Sequence, residues 1–158
     1  ITDFFWATDE RLVFSVARGS SRTTELYNYG QLVAANIDGK RTKLIAGWGS
    51  APDTRQGVRN RARTNPDRPA LIVHRLPNDP DNILINFIDN AGYNDLAELN
   101  INTGKVKWIT TSPVIYPSWI FDKEGNLMGV ASSTLENNSE IFLFKPNLPS
   151  GSLSTRES

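Results

Sequence analysis

Glycine-bearing turns that follow short alternating runs constrain this chain most. Asn36-Ile37-Asp38-Gly39-Lys40 follows Gln31-Leu32-Val33-Ala34-Ala35, and Asn100-Ile101-Asn102-Thr103-Gly104-Lys105 follows Asp95-Leu96-Ala97-Glu98-Leu99. Asp-Gly and Asn-Thr-Gly tolerate the positive φ that a tight hairpin demands, and the apolar segments 42–45 and 106–109 supply return strands. A repeated antiparallel unit without helices points to a propeller or a sandwich, and away from a nucleotide-binding α/β fold.

The remaining strand signals fall into groups. The first comprises 4–6, 11–18, 31–37 and 42–45; in its second strand Leu12, Phe14 and Val16 share one face while Val13, Ser15 and Ala17 share the other, as in a strand packed on both sides. The second comprises 70–75, 83–88, 95–101 and 105–110, separated by turns rich in Pro, Asn, Asp and Gly. The third, 115–121, 127–131 and 140–144, has three strands. A polar turn precedes each second strand, at Leu12, Ile83 and Leu127, and the step of 44 residues from Ile83 to Leu127 suits a four-stranded propeller blade. The longer step of 71 residues from Leu12 to Ile83 holds a Gly/Pro/Arg-rich stretch without alternation.

The fold expected is therefore all-β: an incomplete propeller of about three four-stranded antiparallel blades, the third lacking its last strand, with a sandwich as the competing arrangement. The blades would span about 3–46, 70–110 and 115–145 within a partial propeller over 1–145, with an inter-blade loop over 46–68 and a flexible tail over 146–158. A short turn of helix within 54–63 would have only Val58 and Ala62 for an apolar face. Because the first residue is Ile1 and strand-like sequence begins at once, the chain reads as part of a longer protein.

Seventeen basic and seventeen acidic side chains cancel, so no global field draws the chain to nucleic acid or to an acidic membrane. The absence of cysteine removes disulfides, thiol nucleophiles and thiolate metal sites. Apolar runs such as Ala70-Leu71-Ile72-Val73 fall far short of the ~20 residues that span a bilayer. Neither a nucleic-acid partner nor a membrane partner is expected, and the compartment is left open.

Catalytic machinery is not legible. His74, the one histidine, cannot build a multi-histidine site and is expected to be structural. No Gly-x-Ser-x-Gly elbow, P-loop or dinucleotide fingerprint occurs; Gly47-Trp48-Gly49-Ser50 and Gly19-Ser20-Ser21 have the wrong order. Asp79, Asp81, Asp89 and Asp95 alternate with turn residues, which suits Asx turns better than metal ligation or paired-carboxylate catalysis. No catalytic residue, metal ligand or cofactor is therefore assigned. Arg55, Arg59, Arg61, Arg63 and Arg68 form the one local charge excess, and Arg59, Arg61 and Arg63 are the binding candidates. Asn137-Asn138-Ser139 matches the N-glycosylation pattern. Trp6 and Trp119 stand at matching places before a polar turn, which implies packing between blades.

The pattern Phe5-Trp6-x-x-Asp9-Glu10-Arg11-Leu12-Val13-Phe14, followed by Tyr29-Gly30-Gln31-Leu32-Val33-Ala34-Ala35-Asn36-Ile37-Asp38-Gly39, resembles the N-terminal β-propeller of prolyl-oligopeptidase-like serine peptidases, the group of acylaminoacyl and dipeptidyl peptidases. Leu76-Pro77-Asn78-Asp79-Pro80-Asp81-Asn82-Ile83 and Ala97-Glu98-Leu99-Asn100-Ile101-Asn102-Thr103-Gly104 look like the next blade of that kind. The resemblance implies a propeller of about seven blades covering an α/β-hydrolase domain of the same parent chain, which carries the triad and cleaves peptide substrates. This chain would be a non-catalytic segment that gates peptide access. The alternative is a stand-alone propeller of the TolB or WD-repeat kind that binds proteins. Three blades alone cannot close a ring, so self-association through exposed apolar faces is expected.

Overall fold

The computed structural model describes residues 1–19, 25–50, 67–133 and 139–143. These are all-β, in three antiparallel sheets of consecutive strands. The first sheet holds β1 (Phe4–Thr8), β2 (Arg11–Gly19), β3 (Leu26–Asn36) and β4 (Lys43–Ala46) in that order. The second holds β5 (Ala70–Arg75), β6 (Asn82–Ile88), β7 (Tyr93–Asn100) and β8 (Val106–Ile115). In the third, β9 (Ser118–Phe121), β10 (Leu127–Ser133) and β11 (Ser139–Leu143) follow the same meander. The inter-group stretch over 51–66, with its suggested turn of helix, and the tail from 144 onward lie outside the described residues.

Turn chemistry positions these strands. Gly39 and Gly104 have φ of 75° and 74°, and the amide of each donates at 2.8 Å to the carbonyl that opens its turn, Asn36 or Asn100. The Asn36 and Asn100 amides close the turns on the Lys40 and Lys105 carbonyls. Two Asp-x-x-Gly turns share another device: Asp89 accepts from the Ala91 and Tyr93 amides, and Asp122 from the Glu124 and Asn126 amides, with Gly92 and Gly125 at positive φ. One short carboxylate thus satisfies two donors that the turn would otherwise leave open.

The first two sheets share a hydrogen-bond frame where their second and third strands meet. Arg11 lies opposite Asn36 as Asn82 lies opposite Asn100, and the Ile37 and Ile101 amides each donate at 2.9 Å to the carbonyl preceding those strands, Glu10 or Asp81. Residues 11–16 of β2 therefore correspond to 82–87 of β6.

The second sheet lies between the other two. Its β6 is buried on both faces: Ile83, Ile85 and Phe87 join Val13, Leu32, Ala34 and Ile45 of the first sheet in one core, while Asn86 accepts a hydrogen bond from Trp119 Nε1 of the third at 3.1 Å. On β2 only the face of Arg11, Val13 and Ser15 is buried, and Leu12, Phe14 and Val16 are half-buried. The strand packed on both sides is thus β6, because β2 has a neighbouring sheet on one side only among the described residues.

Three details differ from the sequence expectation. Ile115 ends β8, paired with Tyr93, and the break falls at Tyr116, whose φ is 49°, and at Pro117, which has no N–H to donate. β3 begins at Leu26, five residues before the alternating run, because 26–28 pair with the exposed end of β2 beyond a register shift. Trp6 and Trp119 do not occupy equivalent places: Trp6 lies opposite Leu12, whereas Trp119 lies opposite Val130, three residues past Leu127. Trp119 packs between sheets, but Trp6 is 45% exposed on the outer face of the first.

Candidate functional site

β1 and β5 are edge strands of their sheets, and a cleft of about 520 Å³ opens beside them. Phe5 and Ala7 of β1 supply one wall, and Arg75 with the turn Leu76-Pro77 to Pro80 supplies the other. Lys123, from the Asp122 turn of the third sheet, reaches its rim. A second hollow of about 380 Å³, lined by Asp3, Phe5, Ile72, Val73, His74 and Arg75, shares Phe5, His74 and Arg75 with it. Together they make a groove along two strand edges.

Each wall is fixed by its own bonds. Arg75 Nη2 donates to the Trp6 carbonyl at 2.8 Å, and its guanidinium lies 5.0 Å from the Phe5 ring centroid, so the cation ties β5 to β1. The Leu76 carbonyl accepts from the Asp79 amide, and the Asp79 carboxylate takes the Asp81 amide at 3.1 Å and Asn82 Nδ2 at 2.8 Å. Lys123 is solvent-exposed, 3.5 Å from the Glu124 carboxylate. The cleft lining thus mixes Phe5, Ala7, Ile83 and two prolines with the charged groups of Arg75, Asp79 and Lys123.

His74 faces the third sheet and stacks on Phe121, ring centroids 4.8 Å apart. Its Nε2 is buried with no hydrogen-bond partner among the described residues. Among the described residues no group of three or more His, Cys, Asp or Glu could hold a metal ion. The four carboxylates singled out from the sequence divide by role: Asp79 and Asp89 cap turns, Asp81 accepts from Asn102 Nδ2 at 2.8 Å, and Asp95 pairs with Arg68 at 2.6 Å.

Of the arginine-rich stretch, Arg59, Arg61 and Arg63, like Arg55, lie outside the described residues. Arg68 lies beside a hollow of about 320 Å³ that it lines together with Asp95 and Trp108. It is half-buried between Asp95 and the rings of Phe87 and Trp108, at 5.7 and 5.9 Å, and Asp95 also accepts from Thr111 Oγ1. Sequence reasoning did not single out Phe5, Arg75 and Lys123, which no motif links; Arg75 and Lys123 lie at polar turns, and Phe5 sits inside β1 with no local signal.

The remaining cation of note is Arg11, 7% exposed between the first two sheets. Burial, and secondarily the charge of Arg41, lowers its guanidinium below the ordinary value. Among the described residues no helix is long and apolar enough to cross a membrane.

Comparison with protein families, with curated proteins and with solved structures finds no match to this chain.

Proposed function

We propose that the three sheets are blades of an incomplete β-propeller and that the chain is a non-catalytic segment of a prolyl-oligopeptidase-like serine peptidase, governing which peptides reach a hydrolase domain. The observation that carries the reading is the repeated hydrogen-bond frame of the first two sheets, Arg11 opposite Asn36 and Asn82 opposite Asn100. Consecutive four-stranded meanders stacked face to face are the construction of a propeller, whose blades surround a central passage. The groove along β1 and β5 fits the side of such a passage, and its lining suits peptide contact.

The test combines chemistry and binding. The chain should neither cleave chromogenic aminoacyl or dipeptidyl substrates nor react with a fluorophosphonate probe, while calorimetry should detect short peptides that bind several-fold more weakly to Arg75→Ala. Turnover, labelling, or a complete lack of peptide binding would defeat the reading. The exposure of Phe4, Trp6 and Ile37 favours a second reading, a stand-alone protein-binding propeller of the TolB or WD-repeat kind. The downstream coding sequence separates the two, since a Gly-x-Ser-x-Gly elbow followed by Asp and His belongs only to the peptidase.

A further inference from the structure

The ion pair of Arg68 and Asp95 closes at 2.6 Å, yet 28% and 23% of the two side chains stay accessible. That open part borders the hollow of about 320 Å³, lined by Arg68, Asp95, Trp108, Ile109, Thr110 and Thr111. Neither β1 nor the third sheet contributes to the lining, so the hollow is separate from the groove along β1 and β5. It lies on the side of the second sheet that meets the first, because Trp108 packs against the core the two sheets share. Its polar groups are set in advance. Arg68 Nη2 donates to Asp95 Oδ2, and Thr111 Oγ1 donates to Asp95 Oδ1 at 2.6 Å, which leaves each carboxylate oxygen a further lone pair. Arg68 Nε is buried without a partner among the described residues, and the rings of Phe87 and Trp108 hold the guanidinium in place.

We propose that this hollow binds a neutral sugar ring, one pyranose unit. Charge selects a neutral ligand: cation and anion cancel within the hollow, so an anionic ligand meets Asp95 and a cationic one meets Arg68. Hydrogen bonding selects hydroxyls. The lining presents a guanidinium that only donates, a carboxylate that only accepts and two threonine hydroxyls that do both, beside one indole. Neighbouring ring hydroxyls each donate and accept, so they bridge Arg68 and Asp95, while the C–H face of the ring packs on Trp108 and Ile109. A carboxamide carries one acceptor atom and one donor atom, and leaves the threonines unread. The volume stands at the lower end of the roughly 300–1,000 Å³ of ligand pockets, which suits a single ring. This site goes beyond the proposed peptide contact and does not rest on it.

Two-dimensional NMR of the isotope-labelled chain tests this, with the Trp108 indole resonance assigned through Trp108→Phe. The methyl α-pyranosides of glucose, galactose and mannose are the sugar probes, and acetamide, acetate and methylammonium stand for a carboxamide, an anion and a cation. At millimolar concentration at least one sugar should shift the Trp108 indole and the Thr110 and Thr111 amides saturably, and the three small probes should not. Thr111→Val, at an exposed position, should weaken sugar binding several-fold with strand circular dichroism unchanged. Arg68→Lys keeps the charge but loses the planar fork, and should weaken it as well. No saturable shift with any sugar, an equal response to acetamide or to a charged probe, or an affinity unaltered by both variants would overturn the proposal. Sugar binding here without peptide binding along β1 and β5 would support this site and defeat the proposed function alone.

Discussion

Arg11 of the first sheet donates through Nη2 to the carbonyl of Ile101 in the second at 3.0 Å, while its Nη1 donates to Asn36 Oδ1 at 2.6 Å. One side chain thus holds a hairpin to its own strand and to the neighbouring sheet. Its guanidinium is lowered from the ordinary value, so burial works against the charge and the hydrogen bonds carry the stabilisation. Arg11→Ala should lose about 1–3 kcal/mol in urea unfolding, and Arg11→Lys should not restore it, because an ammonium lacks the fork that spans both acceptors. Full recovery by lysine would show that charge alone suffices.

Gly39 and Gly104 share a positive φ but not an environment. A Cβ on Gly39 would meet nothing within 4 Å, whereas one on Gly104 would lie 3.1 Å from the Ile45 carbonyl oxygen of the first sheet. Gly39→Ala should therefore cost only the left-handed backbone term of about 1 kcal/mol. Gly104→Ala should cost clearly more, because the inter-sheet contact must also open. Equal losses in thermal unfolding would contradict the close approach.

His74 provides a stacking surface and an unsatisfied nitrogen. His74→Phe keeps the ring against Phe121 and removes the orphan Nε2, so it should be neutral or stabilising by about 1 kcal/mol. His74→Ala should destabilise by roughly 1–3 kcal/mol through lost contact and a new void. A large loss with phenylalanine would mean that the nitrogen is used.

Asp122 is held below its ordinary carboxylate value of 3.8, chiefly by hydrogen bonds from the Asn126 side chain and amide. Its folded pKa is depressed, so its contribution is complete above the ordinary value and is lost as the pH falls through the lower folded one. Asp122→Ala should lower the melting temperature at neutral pH, and the gap to wild type should close as the pH falls below the ordinary carboxylate value of 3.8. A gap that stays constant through that range would rule out the carboxylate as the cap.

Local features were legible in the residues themselves. Asp38-Gly39 and Thr103-Gly104 announce turns because few residues accept positive φ, and β6 announces a strand because Ile83 to Ile88 is apolar except for Asn86 and bounded by polar turns. The sites of contact were not. Leu12, Phe14 and Val16 have the apolar pattern of a doubly packed strand, yet their face is half open, while Arg11 is buried although its charge marks it for the surface. The groove unites Phe5, Arg75 and Lys123 from three sheets, and no spacing in the chain encodes that meeting.

The sequence by itself determined the all-β class, the order of strands and the turns between them, because these depend on residues within a few positions of one another. Tertiary structure alone decided which faces meet. Burial of Ile83 rests on Val13 and Leu32 some 50 to 70 residues away, so Leu12, its counterpart in the repeat, stands half-open with the same local sequence logic. The hairpins carry the strand pattern, and the stacking of sheets assigns each apolar face to core or to surface.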